Sequence, residues 1–282
     1  MTPRDGAGTR DLEDRMNSRG PTHPLKIAHI SDIHVGSNHF VSNLLNRAIT
    51  EINELEPDLV LVSGDLTNDG FRQEYSAASA YLDNITCELT VVIPGNHDSR
   101  NVGYVHFEDL FGQRNKVVTL PGMTMVALDS SQPDLNEGRL GRQNYRWMVD
   151  QFANDTDFRI VALHHHLLPL PGTGRERNII EDAGDFLEQL VYEGVDLVLS
   201  GHKHVPHTWH FEDFYISNAG TVSSLRVRGY ARPCYNVIEI VPGSCKITRK
   251  YPFGESIEVV TFPIKETAAD GRLIDRPDRL VT

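Results

Sequence analysis

From Leu25 onward, short continuous apolar runs alternate with stretches whose apolar residues recur every three or four positions. That alternation predicts strands and helices in turn, the layering of an α/β fold. Leu25–Ile30 reads as a strand. Leu44, Leu45, Ala48, Ile49, Ile52 and Leu55 then share one helical face, and Glu56-Pro57 ends that helix. Residues 59–62 are apolar throughout, as expected of a strand covered on both faces, and a helix over 73–85 leads to the next buried strand, over 89–93. Residues 116–120 and 123–128 form a hairpin turning at Pro121-Gly122. Helices over 143–152 and 182–193 precede strands over 159–163 and 197–199.

Beyond Ser200 the helical spacing stops. Strands are predicted over 207–210, 214–219, 235–241 and 245–251, which suggests a second sheet packed on the first within one domain. Residues 1–24 mix Arg, Asp, Glu, Gly, Pro and Ser without an apolar run and read as a disordered tail; residues 265–282 read as a polar extension. Neither a secretory h-region nor a run of about 20 apolar residues occurs, so the expectation is a cytoplasmic protein with no membrane partner.

Composition narrows the partners. The 282 residues are 39% apolar and 23% charged, enough to bury a core without disulfide staples. Cys87, Cys234 and Cys245 are odd in number and lack CxxC spacing, so they read as free thiols. A net charge of −12 argues against gripping a long nucleic acid. The one basic grouping, Arg226, Arg228 and Arg232, either touches a single phosphate or belongs to a solvated loop. The oligomeric state is left open.

Five polar clusters follow directly after predicted buried strands: Asp32-Ile-His34, Gly64-Asp65, Gly95-Asn96-His97-Asp98, His164-His165-His166 and Gly201-His202-Lys203-His204. Ligands of open α/β sheets bind beyond the carboxyl ends of the strands, so the clusters are expected to converge on one sheet edge. Alone, each has an ordinary explanation as a turn or a surface histidine. Together they supply carboxylate, amide and imidazole donors suited to hard or borderline divalent cations. Two such ions about 3.5–4 Å apart need a shared carboxylate. Offset by two Asp side chains and one hydroxide, they leave a site of about +1, which suits a phosphodiester anion within an acidic protein.

The series DIH, GDLTND, GNHD, a His group after a strand, and GHKH resembles the calcineurin-like metallophosphoesterases over roughly residues 25–240. The resemblance implies a two-sheet β-sandwich flanked by helices, here a metallophosphoesterase domain over residues 25–264, with a dinuclear metal centre at one sheet edge. It implies that Asp32, His34, Asp65 and His204 hold one metal, and that Asp65 bridges to a second held also by Asn96, His202 and His164, with His165 as the fallback. Mn, Fe and Zn are the expected ions. His97 is implied as a general acid or a donor to the phosphate, acting with water ionised between the two metals. Asp98 either orients His97 or is a turn residue.

Within that family, Gly64-Asp-Leu-Thr-Asn-Asp-Gly70 lacks the Arg of the protein phosphatases, and His97 stands where lipid A pyrophosphohydrolases tend to carry Arg. Together with Leu128-Asp-Ser-Ser131, Gly138-Arg-Leu140 and the helix bearing Trp147, this is most similar to the cyclic-nucleotide phosphodiesterase and glycerophosphodiesterase branch. A small phosphodiester is the implied substrate. The alternatives are a phosphomonoesterase, a short-oligonucleotide nuclease, or a non-catalytic scaffold of the same fold. A scaffold should show broken metal motifs, and all five are complete here. The loops 129–142, 167–181 and 221–232 are expected to wall the pocket.

Overall fold

The computed structural model describes residues 19–152, 157–173 and 179–265. The expected tails at 1–18 and 266–282 lie outside them. The stretch 19–24, expected to be disordered with the rest of the tail, is instead anchored. Arg19 is buried, donates to the Asp157 and Gly194 carbonyls, and pairs with buried Asp196 at 2.8 Å. A guanidinium's fixed fork of donors satisfies carbonyls and a carboxylate together, which stabilises a short polar segment against the sheet.

Two six-stranded sheets pack face to face. The first contains β1 (Leu25–Ile30), β2 (Leu59–Ser63), β3 (Thr90–Ile93), β10 (Tyr235–Val241), β11 (Ser244–Lys250) and β12 (Ser256–Pro263), in the order β12-β11-β10-β1-β2-β3. The second contains β4 (Lys116–Leu120), β5 (Met123–Leu128), β6 (Phe158–Leu163), β7 (Leu197–Ser200), β8 (His207–Phe211) and β9 (Phe214–Asn218), in the order β4-β5-β6-β7-β9-β8. The helices are α1 (Ser42–Leu55), α2 (Arg72–Leu82), α3 (Gly103–Phe111), α4 (Arg142–Gln151) and α5 (Ala183–Tyr192).

Strand alternation explains the layering. Ile27, Leu59, Leu61, Val91 and Ile93 meet Met125, Ala127, Ile160, Ala162 and Leu199 in the core between the sheets. Their neighbours Ala28, Ile30, Val60 and Val62 face outward onto Leu45, Ile49 and Ile52 of α1 and Tyr75 of α2. Val126, Val161 and Val198 likewise face Met148 of α4 and Phe186 and Leu190 of α5. Covering both faces is why these strands read as continuous apolar runs rather than alternating ones. Each fully buried aliphatic side chain contributes about 1.5–3 kcal/mol. α1 stops where Glu56 adopts a left-handed conformation (φ 46°) just before Pro57.

The strands after Ser200 do not form a sheet of their own. β9 continues the second sheet parallel to β7, whereas β10 runs antiparallel to β1 in the first. The reason is burial: Ile238 and Ile240 of β10 face the inter-sheet core while Val237 faces the α1 side, so β10 must lie between both layers. Neither α3 nor β12 was expected. α3 begins on Gly103 and buries only that residue and Phe107, and β12 is a mostly exposed edge strand, so neither carries a strong apolar period. Among the described residues, no helix is long and apolar enough to cross a membrane.

Candidate metal centre

The five clusters emerge from the carboxyl ends of parallel strands. β1, β2 and β3 are parallel neighbours in one sheet, and β6 and β7 are parallel neighbours in the other. The loops after β1 and β2 stay in register, with the Asp32, His34 and Val35 amides donating to the Gly64, Asp65 and Leu66 carbonyls at 3.0, 2.9 and 2.9 Å. Two glycines are needed for close approach rather than for a turn alone. A Cβ on Gly95 would collide with the Asp65 carboxylate, and one on Gly201 with Ser31 Oγ and the Asp32 carboxylate. Asp32, His34, Asp65, His202 and His204 all take positive φ, from 52° to 78°. Such conformations cost of order 1–3 kcal/mol each in non-glycine residues and persist where surrounding contacts enforce them.

The side chains fall into two donor groups that share a carboxylate. In the first, His34 Nε2 lies 2.8 Å from His204 Nε2, and Asp32 Oδ1 lies 3.3 Å from His204 Nε2 and 3.9 Å from His34 Nε2. In the second, Asn96 Oδ1 sits 3.2 Å from His164 Nε2 and 2.9 Å from His202 Nδ1. Asp65 Oδ2 stands between them, 3.5 Å from His34 Nε2 and 3.4 Å from His164 Nε2.

Outer contacts orient the rings. His164 Nδ1 donates to the Ser63 carbonyl at 2.7 Å and His204 Nδ1 to the Arg226 carbonyl at 2.5 Å, so each Nε2 is aimed inward, where the neutral ring would offer its lone pair to a cation. Among the described residues, His202 Nε2 is buried without a hydrogen-bond partner. Imidazole nitrogens and carboxylate and amide oxygens crowded this closely are a donor set that fits a pair of cations. Ionisation follows the same crowding. Burial pushes His34 down to about 3, whereas Asp65 overcomes burial to lift His164 to about 9. Burial opposes ionisation of Asp32 as well, yet its contacts with His204 and His164 hold the carboxyl below the usual range.

His97 sits beside both groups, its ring edge-on to His34 at 4.7 Å and its amide donating to Asp65 Oδ1 at 2.9 Å. Its Nδ1 is held by the Asn68 carbonyl at 2.5 Å. Asp98 does not touch the His97 ring. Its carboxylate accepts from the Gly95, Leu66 and Thr67 amides and from Thr67 Oγ1, so of the two roles open to it the structure shows the loop-binding one. His165 is turned away, with Nδ1 on Ser130 Oγ at 2.8 Å and Nε2 on the Asn136 carbonyl at 3.2 Å. His166 stacks on His202.

A cavity of about 510 Å³ opens on both groups. Arg100 and Asn136 line it, joined by a 2.7 Å hydrogen bond, and neither was singled out from sequence. Arg100 follows the GNHD motif by two residues, which was the available signal; Asn136 had none. Of the loops expected as walls, 129–142 supplies Asn136 and 221–232 supplies Arg226, Val227 and Arg228; no described residue of 167–181 lines the cavity.

The model of the calcineurin-like phosphoesterase family matches residues 25–206, more than half of the chain. The chain belongs to the calcineurin-like phosphoesterase family. It is therefore a metal-dependent phosphoric ester hydrolase by membership. Among its relatives, a probable cyclic nucleotide phosphodiesterase of Synechococcus sp. is 28% identical over 199 residues, covering 66% of this chain and 75% of that one. A 3′,5′-cyclic-nucleotide phosphodiesterase of Nostoc sp. is 29% identical over 203 residues, covering 64% and 72%. The fold is also that of a purple acid phosphatase from yellow lupin, with a TM-score of 0.70 at 12% identity over 87% of this chain and 55% of that longer one.

Proposed function

We propose that this family member is a phosphodiesterase for small phosphodiesters of the cyclic-nucleotide or glycerophosphodiester type, working with two divalent ions. The observation that carries the reading is the position of Asp65 Oδ2 between the two donor groups. Asp32, His34, Asp65 and His204 would hold one ion, and Asp65, Asn96, His164 and His202 the other. Mn, Fe or Zn suits this mixture of carboxylate, amide and imidazole. Bound there, two such ions would neutralise phosphoryl charge and lower the pKa of water.

The chain's own residues do the rest. The His97 amide restrains the shared carboxylate of Asp65. The Asn68 carbonyl holds the His97 ring at Nδ1, so Nε2 is the atom left to face the substrate, and with both ring nitrogens protonated it gives a proton to the leaving oxygen or a hydrogen bond to the phosphate. The names of the Synechococcus and Nostoc relatives favour a diester over a monoester. The test is hydrolysis of bis(p-nitrophenyl) phosphate against p-nitrophenyl phosphate by chelated protein re-supplied with Mn²⁺. Metal-dependent preference for the diester is expected; preference for the monoester would make the protein a phosphatase.

A further inference from the structure

The basic grouping Arg226, Arg228 and Arg232 divides in the folded chain. Arg232 pairs with Glu255 and lies over the Tyr251 ring, away from the centre. Arg226 and Arg228 instead line the cavity that opens on the two donor groups. Their loop is tied to that centre, because the Arg226 carbonyl is the acceptor for His204 Nδ1. Arg228 Nη1 donates to the Thr173 carbonyl at 3.3 Å, and among the described residues no carboxylate pairs with either guanidinium. Across the cavity, Arg100 is already engaged by Asp69 and Asn136.

Asp65 is the sole carboxylate among the described lining residues, and none of them is Phe, Tyr or Trp. This wall recognises anionic oxygen and offers no aromatic face to a base. A centre of about +1 is neutralised by the single charge of one phosphodiester. Two further guanidiniums at its rim, in a chain of net charge −12, exceed what a simple diester uses. We infer that the preferred substrate is a phosphodiester bearing a second, terminal phosphate, which Arg226 and Arg228 grip while the diester occupies the donor groups. The inference rests on the phosphodiesterase reading and narrows its substrate.

The reaction is ordinary hydrolysis: water oxygen bonds to the diester phosphorus, the P–O bond to the departing alcohol breaks, and that oxygen leaves with a proton. The terminal phosphate is untouched. The dinucleotide ApA and its 5′-phosphorylated form pApA differ by that phosphate alone, and their cleavage yields adenosine plus AMP or two AMP. With Mn²⁺, kcat/KM for pApA is expected to exceed that for ApA by about tenfold, the size of one charge-assisted contact. The ratio should fall toward one as salt rises.

The double change Arg226→Ser with Arg228→Ser should collapse the ratio, whereas Arg232→Ser, which removes a charge from the same loop, should preserve it. Chelated protein should bind pAp about tenfold more tightly than adenosine 3′-phosphate, which gives the comparison without turnover. Equal turnover of ApA and pApA with equal binding overturns the inference and leaves the phosphodiesterase reading intact. So does cleavage of bis(p-nitrophenyl) phosphate with neither dinucleotide cleaved. Failure on all three diesters in metal-loaded protein overturns both.

Discussion

His164 and Ser63 are joined by a 2.7 Å hydrogen bond from imidazole Nδ1 to carbonyl oxygen, and this bond turns His164 Nε2 toward Asp65. The adjacent His165 spends both ring nitrogens on Ser130 and Asn136. His164→Ala should therefore lose about one bound metal per chain, while His165→Ala keeps the metal content of the parent. Elemental analysis after dialysis decides it, and the opposite pattern would exchange the two roles.

Asp65→Asn should be the most damaging single change at the centre. Changes to groups behind the ligands already cost about 10–100-fold in affinity or activity, so weakening a ligand shared by both groups should exceed that. The variant's turnover and metal stoichiometry are the readouts. Near-parental values in both would remove Asp65 from its shared position.

His97→Ala should keep its metal and lose about 10²–10⁴-fold in turnover. The loss should shrink for substrates whose leaving groups need no protonation, such as p-nitrophenolate esters. Plotting log kcat against leaving-group pKa for both proteins measures this. A parallel drop across the series would point to phosphate binding rather than proton donation.

Gly201→Ala tests close packing rather than chemistry. Its added methyl group would collide with Ser31 and Asp32, so either the β7 loop retreats or Asp32 moves. Metal affinity should fall while far-ultraviolet circular dichroism stays unchanged. Unaltered affinity would show that the two loops have room to part.

Asp182 gives a pH prediction away from the centre. Against the penalty of burial, the Tyr145 hydroxyl, which donates to the Asp182 carbonyl at 3.1 Å, and hydrogen bonds from the Gly141 and Leu140 amides to the carboxylate hold the carboxyl below the usual range. A depressed folded value means the stabilisation is full above the unfolded value of about 3.9 and disappears as pH falls through the lower folded one. The parent should exceed Asp182→Asn in urea midpoint near neutrality, and the gap should close toward about pH 3. A constant gap would assign the effect to shape instead of charge.

Several features were legible because they are local. Leu59–Val–Leu–Val62 announced a strand covered on both faces, and the ends of five such strands announced the donor groups. What stayed hidden depended on distant partners. Nothing near Arg19 signals that Asp196 waits for it, and nothing near Tyr235 says that its strand will return beside β1. His164 and His165 are indistinguishable as letters, and the difference between them is made by Ser63, Ser130 and Asn136, all remote in the chain. The left-handed conformations of Asp32, His34 and Asp65 were equally invisible, since side chains of that kind favour turns of many sorts.

Each donor group draws from both halves of the sandwich: Asp32 and His34 follow β1, and Asp65 and Asn96 follow β2 and β3, while His164, His202 and His204 follow β6 and β7. An ion seated there is thus a rivet through the two sheets, opposing any sliding of one over the other. Metal release and loosening of the inter-sheet seam then become one cooperative event, so amide exchange along β6 and β7 should report occupancy of the centre as directly as any assay of turnover.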